Sequence, residues 1–296
     1  MFLDRFKSLL QDPPPAMAFE ISQAGIAAAR VASRTEVEFE PVKPGSIAVS
    51  PFQENVLDSA AFLDALKRLE MVRGSRKRKD AAVILPDYCA RLAVLDFDSF
   101  PADLKEQSAL VRFRLKRSVP FDVETAALSY FAQPAVEKRV DVVVVTTPLE
   151  ILSPYEAPFR ALGLNPGLVT VSSLAALDLA PDTGLNVMAK LSGNVLSLLV
   201  REKARLKLAR CLELASPSLD DVAAVLLPTF VYVEDNLGGR AERLILCGFG
   251  ERTQEARHRF ESELTVEVEP LHSHLSPPAE TNAGLLGYLR SVSRNN

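Results

Sequence analysis

Two stretches decide the fold of this chain: Ala18-Phe19-Glu20-Ile21-Ser22-Gln23-Ala24-Gly25-Ile26-Ala27 and Val187-Met188-Ala189-Lys190-Leu191-Ser192-Gly193-Asn194-Val195-Leu196. Each is an apolar run carrying one charged residue, then a polar turn with a glycine, then a second apolar run. That pattern predicts a tight antiparallel hairpin. After each hairpin the chain repeats one rhythm: more strands, a helix, a buried strand and a second helix. Two halves with one order of elements point to internal duplication, with two α/β lobes whose hairpins face each other across a cleft.

Working outward, strands are expected over 17–21, 26–32, 35–40 and 46–50, a helix over 58–71, and buried strands over 81–85 and 90–97. A helix follows Pro101, capped by Asp98 or Ser99. Its apolar stripe is Leu104, Ser108, Val111, Leu115 and Val119; Lys105, Arg112, Arg114, Lys116 and Arg117 make its other faces basic. Strands at 127–131 and 140–147 come next, the second nearly all apolar and therefore central. A helix over 149–162 stops at Gly163, and a strand at 168–171 leads into a helix over 172–180. The second half gives strands at 185–190, 195–201 and 205–214, a helix over 218–236, a strand at 243–246, a helix over 253–264, a short strand at 266–268 and a closing helix over 282–293.

Met1–Leu10 places Phe2, Leu3, Phe6, Leu9 and Leu10 on one helical stripe, and Pro13-Pro14-Pro15 then forms a stiff spacer. Such a segment docks on a membrane surface or a partner, or folds back on its own domain. Arg73, Arg76, Lys77, Arg78 and Lys79 read as a solvated connection, with attraction to anionic lipid or an acidic partner as the alternative.

At 296 residues the chain has length for two core-bearing lobes. It is 48% apolar with a net charge of −4, which argues against a dedicated nucleic-acid binder. No apolar run approaches the ~18–20 residues that span a bilayer, and the N-terminus lacks the features of a signal peptide. Cys89, Cys211 and Cys247 are scattered without paired spacing and are expected as buried, reduced thiols. His272-Ser273-His274 has no cysteine or carboxylate at ligand spacing, so no metal site is expected there. Gly248-Phe249-Gly250 follows a strand and precedes a helix, but a dinucleotide turn needs a third glycine. With three histidines and no nucleophile motif, an enzyme is the poorer reading.

The order of elements resembles PilM, the actin-like protein of type IV pilus assembly. The resemblance covers nearly the whole chain and is carried best by residues 95–101, Val119-Pro120-Phe121 and Leu128-Ser129-Tyr130, which match an extra subdomain shared with the division protein FtsA. It implies an actin-like fold of duplicated ribonuclease-H-like lobes, with that subdomain and a reduced or missing second helical subdomain. The expected organisation is an amphipathic segment and spacer at 1–15 and a first lobe at 16–97, joined by 165–180 and the 280–296 helix. The extra subdomain and its connection take 98–164, and the second lobe 181–279.

The family's nucleotide motifs are altered. Its first hairpin carries Asp-Ile-Gly, where this chain has Glu20-Ile21-Ser22, and Ala27 replaces a lysine. Its second carries Asp-Ile-Gly again, where this chain has Lys190-Leu191-Ser192. The turn beneath the adenine reads Gly248-Phe249-Gly250, which would set a ring where backbone approaches a base. An ammonium in place of a magnesium-organising carboxylate repels the cation, so neither ATP nor magnesium is favoured as a cofactor. A buried lysine needs a counter-charge, and Glu20 across the cleft is the expected partner of Lys190. The resemblance thus implies a non-catalytic cytoplasmic scaffold, peripheral to the inner membrane. It would hold the N-terminal cytoplasmic tail of a PilN-like membrane partner, alongside other pilus components, with a homo-oligomer as a further partner option and the 101–120 helix as a candidate groove wall. The alternatives are a GspL-like component of type II secretion and an active actin-like ATPase.

Overall fold

The computed structural model describes residues 13–32, 35–72, 79–134 and 139–295. The amphipathic segment and most of the 73–79 basic run lie outside them. In chain order the elements are β1 Met17–Ile21, β2 Gly25–Arg30, β3 Val37–Pro41, α1 Ser59–Arg68, β4 Lys79–Leu85, β5 Arg91–Phe97, α2 Leu104–Leu115, β6 Ala127–Ala132, β7 Val140–Thr147, α3 Leu149–Ala161, β8 Leu164–Val171 and α4 Ser172–Ala176. The second half contains β9 Leu185–Ser192, β10 Val195–Glu202, β11 Arg205–Glu213, α5 Leu219–Leu237, β12 Arg243–Cys247, α6 Thr253–Leu264, β13 Glu267–Pro270 and α7 Ala283–Asn295.

The duplication is explicit in the strand order. The first sheet runs β3-β2-β1-β4-β8 and the second β11-β10-β9-β12-β13, so both follow the order third, second, first, fourth, fifth. In each, the opening hairpin is antiparallel and its first strand pairs in parallel with the strand after the helix. One helix, α5, lies between β11 and β12.

Each sheet is covered on both faces, which is why β1, β4 and β9 read as mostly apolar runs without polar alternation. On one face of the first sheet, Phe62 of α1 and Tyr155 and Phe159 of α3 are fully buried. The rings of Phe19 and Phe159 meet edge to face at 5.1 Å. Asp58 starts α1 by accepting a bond from the Ala61 N–H at 2.9 Å. The opposite face is alanine-rich (Ala18, Ala27, Ala29 and Ala82), and this flat surface receives Leu285, Tyr288 and Leu289 of α7. Gly287 lets α7 pass directly over α4: an added Cβ would lie 2.0 Å from the Ala175 carbonyl oxygen.

The pleat of β9 separates two environments. Val187, Ala189 and Leu191 pack under α5 and α6, while Met188 faces the first lobe. Met188, Leu199, Ile245 and Cys247 from the second sheet join one continuous core with Phe19, Ile21 and Leu85 from the first. The lobes therefore share an apolar interior.

A third sheet, β5-β7-β6, carries α2 on one face through Val111 and Leu115. Here the expected organisation needs correction. β5 lies within residues 16–97 but pairs along its whole length with β7, and α3, within 98–164, packs on the first lobe. Apolar periodicity marks a strand as buried without saying which sheet receives it. Two smaller corrections follow. Residues 46–50 make only an isolated bridge, Ile47 to Val56, in a stretch broken by Pro44 and Pro51. The cap of α2 is Asp103, which accepts from Lys105 and Glu106 N–H at 2.9 and 3.0 Å.

The small sheet is fastened to the second lobe. The Gln133 side chain donates to the Leu206 carbonyl and accepts from the Leu206 N–H, both at 2.8 Å. Asp141 on β7 holds Arg205 at 2.8 Å and Lys207 at 3.4 Å on β11. Together Arg205 and Lys207 hold the Asp141 carboxyl below its ordinary range, against the opposing effect of partial burial.

Gly287→Ala should lower unfolding stability by about 1–3 kcal/mol, because backbone, not a flexible side chain, blocks the new methyl. Denaturant titration of that variant beside Gly163→Ala separates overpacking from backbone strain. At Gly163 φ is +74° and an added Cβ meets nothing within 4 Å.

Candidate functional site

The candidate site is the polar seam between the hairpins, and three ionisable side chains meet there. Glu20 leaves β1 on the α7 side, Lys190 leaves β9 toward the first lobe, and Asp87 stands in the short turn Asp87–Cys89 at the C-terminal end of β4. Their exposures are 1%, 2% and 7%, so none of them has water as its main solvent.

The Lys190 ammonium is 3.2 Å from Asp87 Oδ2. The same oxygen accepts from the Ser197 hydroxyl at 3.0 Å, and Oδ1 accepts from the Ser173 N–H at 2.6 Å. Glu20 accepts from the Leu285 N–H at 2.7 Å and from the Ser172 hydroxyl. The expected partnership therefore changes: Lys190 makes its ion pair with Asp87, and Glu20 acts on it as a neighbouring charge. Burial alone would depress the Lys190 pKa, but Asp87 and then Glu20 push it above the ordinary lysine range. Burial raises the Glu20 carboxyl, and the opposing pull of Lys190, Ser172 and the Leu285 N–H only partly offsets it.

The other sequence-predicted positions lie nearby in different roles. Ser22 is spent on its own turn, donating to the Gly25 carbonyl at 3.0 Å and accepting from the Gly25 N–H at 3.2 Å. Ser192 lines the seam beside Asn194. Gly248 has φ +80° and an added Cβ would lie 1.9 Å from the Leu191 carbonyl oxygen, so this turn needs glycine. Gly250 follows with φ +55°. Phe249 does not set its ring in the cleft: it is 3% exposed and packs edge to face on Phe260, 6.3 Å away. Sequence reasoning missed Asp87, Ser172, Ser173, Ser197 and Glu280, whose Oε2 accepts from the Gly193 N–H at 2.9 Å. Position at the carboxyl end of a buried strand was the available signal for Asp87.

The open space at the charge cluster is about 30 Å³, one water's worth, whereas sites for drug-sized ligands run to ~300–1,000 Å³. At the charge cluster a divalent cation would meet an ammonium already paired with Asp87 rather than a free carboxylate. A wider hollow of about 930 Å³ lies alongside, between the 248–250 turn, Thr253 and residues 270–281. His272 and His274 line it, and among the described residues no group of three metal-ligating side chains exists. The three cysteines are free thiols; burial raises all of them, Cys211 and Cys247 to about 12, so they are inert at neutral pH.

Lys190→Met should cost about 3–5 kcal/mol in unfolding free energy near pH 7, because it strands Asp87 and Glu20 without a counter-charge. Glu20 supplies a pH test. Its folded pKa lies above the unfolded value near 4.5, so the folded state binds the extra proton. Its contribution is complete below that value and is lost as pH rises through the raised folded pKa. Glu20→Gln should therefore match the parent in acid and exceed it at neutral pH, read as thermal melts that coincide at low pH and diverge as pH rises.

Neither a protein-family model nor a curated protein sequence matches this chain. Solved structures do. A chain of the PilM-PilN type IV pilus biogenesis complex is similar over 95% of this chain and 99% of its own, with a TM-score of 0.76 at 18% identity. A protein of unknown function with an actin-like ATPase fold from Bacteroides thetaiotaomicron covers 92% and 94%, with a TM-score of 0.59 at 13% identity. The cytoplasmic domain of EpsL, an inner membrane component of the type II secretion system of Vibrio cholerae, covers 95% and 94%, with a TM-score of 0.53 at 15% identity. With the duplicated strand order, these likenesses establish that the chain has the actin-like fold.

Proposed function

We propose that this protein is a non-catalytic scaffold of the PilM kind, which holds the cytoplasmic tail of a PilN-like membrane protein and does not turn over ATP. The observation that supports this reading is the buried Lys190–Asp87 pair between the hairpins, where an active member of this fold would be expected to need room for a metal and phosphate. The shared apolar interior of the lobes supports it too, since a body with one core is a poor hinge and a good platform. Among the described residues no helix is long and apolar enough to cross a membrane.

The tail's seat would lie between the first lobe and the small sheet, in which β6 is an outer strand and carries the exposed Phe131. A strand edge gives main-chain bonds and the ring an apolar anchor. The likeness to the EpsL domain supports a second reading, a cytoplasmic component of a type II secretion system.

Calorimetry of the purified chain with magnesium-ATP should show no micromolar, magnesium-dependent binding, and such binding would overturn the non-catalytic reading. Titration with N-terminal tail peptides of a PilN-like protein and of a secretion-system counterpart should give saturable binding to the former alone. Preference for the latter selects the second reading, and binding to neither rejects both.

A further inference from the structure

Two surfaces outside the charge cluster are exposed, apolar at the centre and opposite in charge. The first is the outer face of α2, where Phe113 is 69% exposed. Helical spacing sets Ala109 one turn and Glu106 two turns before it, with Lys105 beside Glu106, and Lys116 and Arg117 on the turn after it. The second is the outer face of α5, where Ala224, Leu227, Pro228 and Val231 follow the i, i+3, i+4, i+7 spacing of one stripe, with Leu227 44% and Val231 59% exposed. The stripe continues into Glu234 and Asp235.

Three features set the α5 face apart from an ordinary solvated helix. Its apolar residues adjoin one another, whereas scattered surface apolar residues are normal. Pro228 lacks an N–H, so the Ala224 carbonyl on this same face has no helical donor and is open to one from outside. Glu234 and Asp235 stand in the last turn, where the helix dipole disfavours acids and no basic residue offsets them. On α2, Arg112 is engaged with the Ala126 carbonyl and Arg114 with Asp96. Lys105, Lys116 and Arg117, like Glu234 and Asp235, enter no ion pair among the described residues.

We propose that the Phe113 patch of one molecule docks on the α5 face of a second copy, with Phe113 against Leu227 and Val231, and Lys116 and Arg117 against Glu234 and Asp235. The occupant is a copy of this chain because the two faces complement each other in charge, with Lys116 and Arg117 on the C-terminal side of an apolar anchor against Glu234 and Asp235 at the C-terminal end of an apolar stripe. One contact uses different surfaces on the two molecules, so each copy of a pair keeps its other face free and the pair as a whole still offers one face of each kind. Such heterologous contacts build rings or open filaments. The proposal stands apart from the scaffold reading and survives its failure.

Sedimentation of the full chain over a range of concentrations tests it. The parent should self-associate, less so as salt screens the facing charges. Phe113→Ala, the pair Lys116→Glu/Arg117→Glu, and the pair Glu234→Lys/Asp235→Lys should each weaken association by about tenfold or more. All these side chains are exposed, so unchanged melting temperatures verify the fold. The decisive arm mixes the two charge-reversed chains: each alone should stay monomeric, while the equimolar mixture associates, because both contacts become complementary again. A parent that is monomeric at every concentration and salt overturns the proposal, as does association indifferent to either reversal. Phe113-dependent binding to anionic vesicles without self-association also overturns it, reassigning the patch to a membrane.

Discussion

Burying an ammonium costs several kcal/mol unless carboxylates and hydrogen bonds surround it, and Lys190 meets that condition only while the two lobes are together. Its own strand belongs to the second sheet, its ion-pair partner Asp87 follows a strand of the first, and Asp87 is held in turn by Ser173 and Ser197 from opposite lobes. The bond therefore requires closure, since separating the lobes would expose the partners and break the network. Around it the apolar interior is continuous, with Met188, Leu199 and Ile245 of the second sheet in the same core as Phe19 and Leu85 of the first. A hinged cleft needs a solvated seam, and here the charges at the seam are buried.

Much of this was legible in the residues. The duplicated hairpins, the central strand β7 and helix α6 follow from periodicity and turn chemistry, and α6 spans Thr253–Leu264 as expected. The seam was half legible. Glu20 and Lys190 announce themselves because a charge inside an otherwise buried strand must find an answer. Asp87 does not, because it sits in a three-residue turn after Pro86, where an aspartate is ordinary turn chemistry. Only the third dimension reveals that its turn lies opposite β9.

Phe249 shows the converse error. Flanked by glycines, it looks like a ring pushed into a cleft, yet the positive φ of Gly248 swings the chain so that the side chain enters the second lobe's core against Phe260. Pattern gives the residues near a turn but not the side on which each lands. The same limit misassigned β5, whose apolar run suits either sheet and whose destination was decided by pairing with β7.

The side chain of Gln133 has a further consequence. By matching both main-chain groups of Leu206 it imitates the next rung of a ladder, at the outermost strand of the second sheet. Unpaired rims of this kind are where foreign segments anneal and fibrils begin. One amide side chain here caps that rim, insulating the molecule against templated stacking while its lobes stay joined.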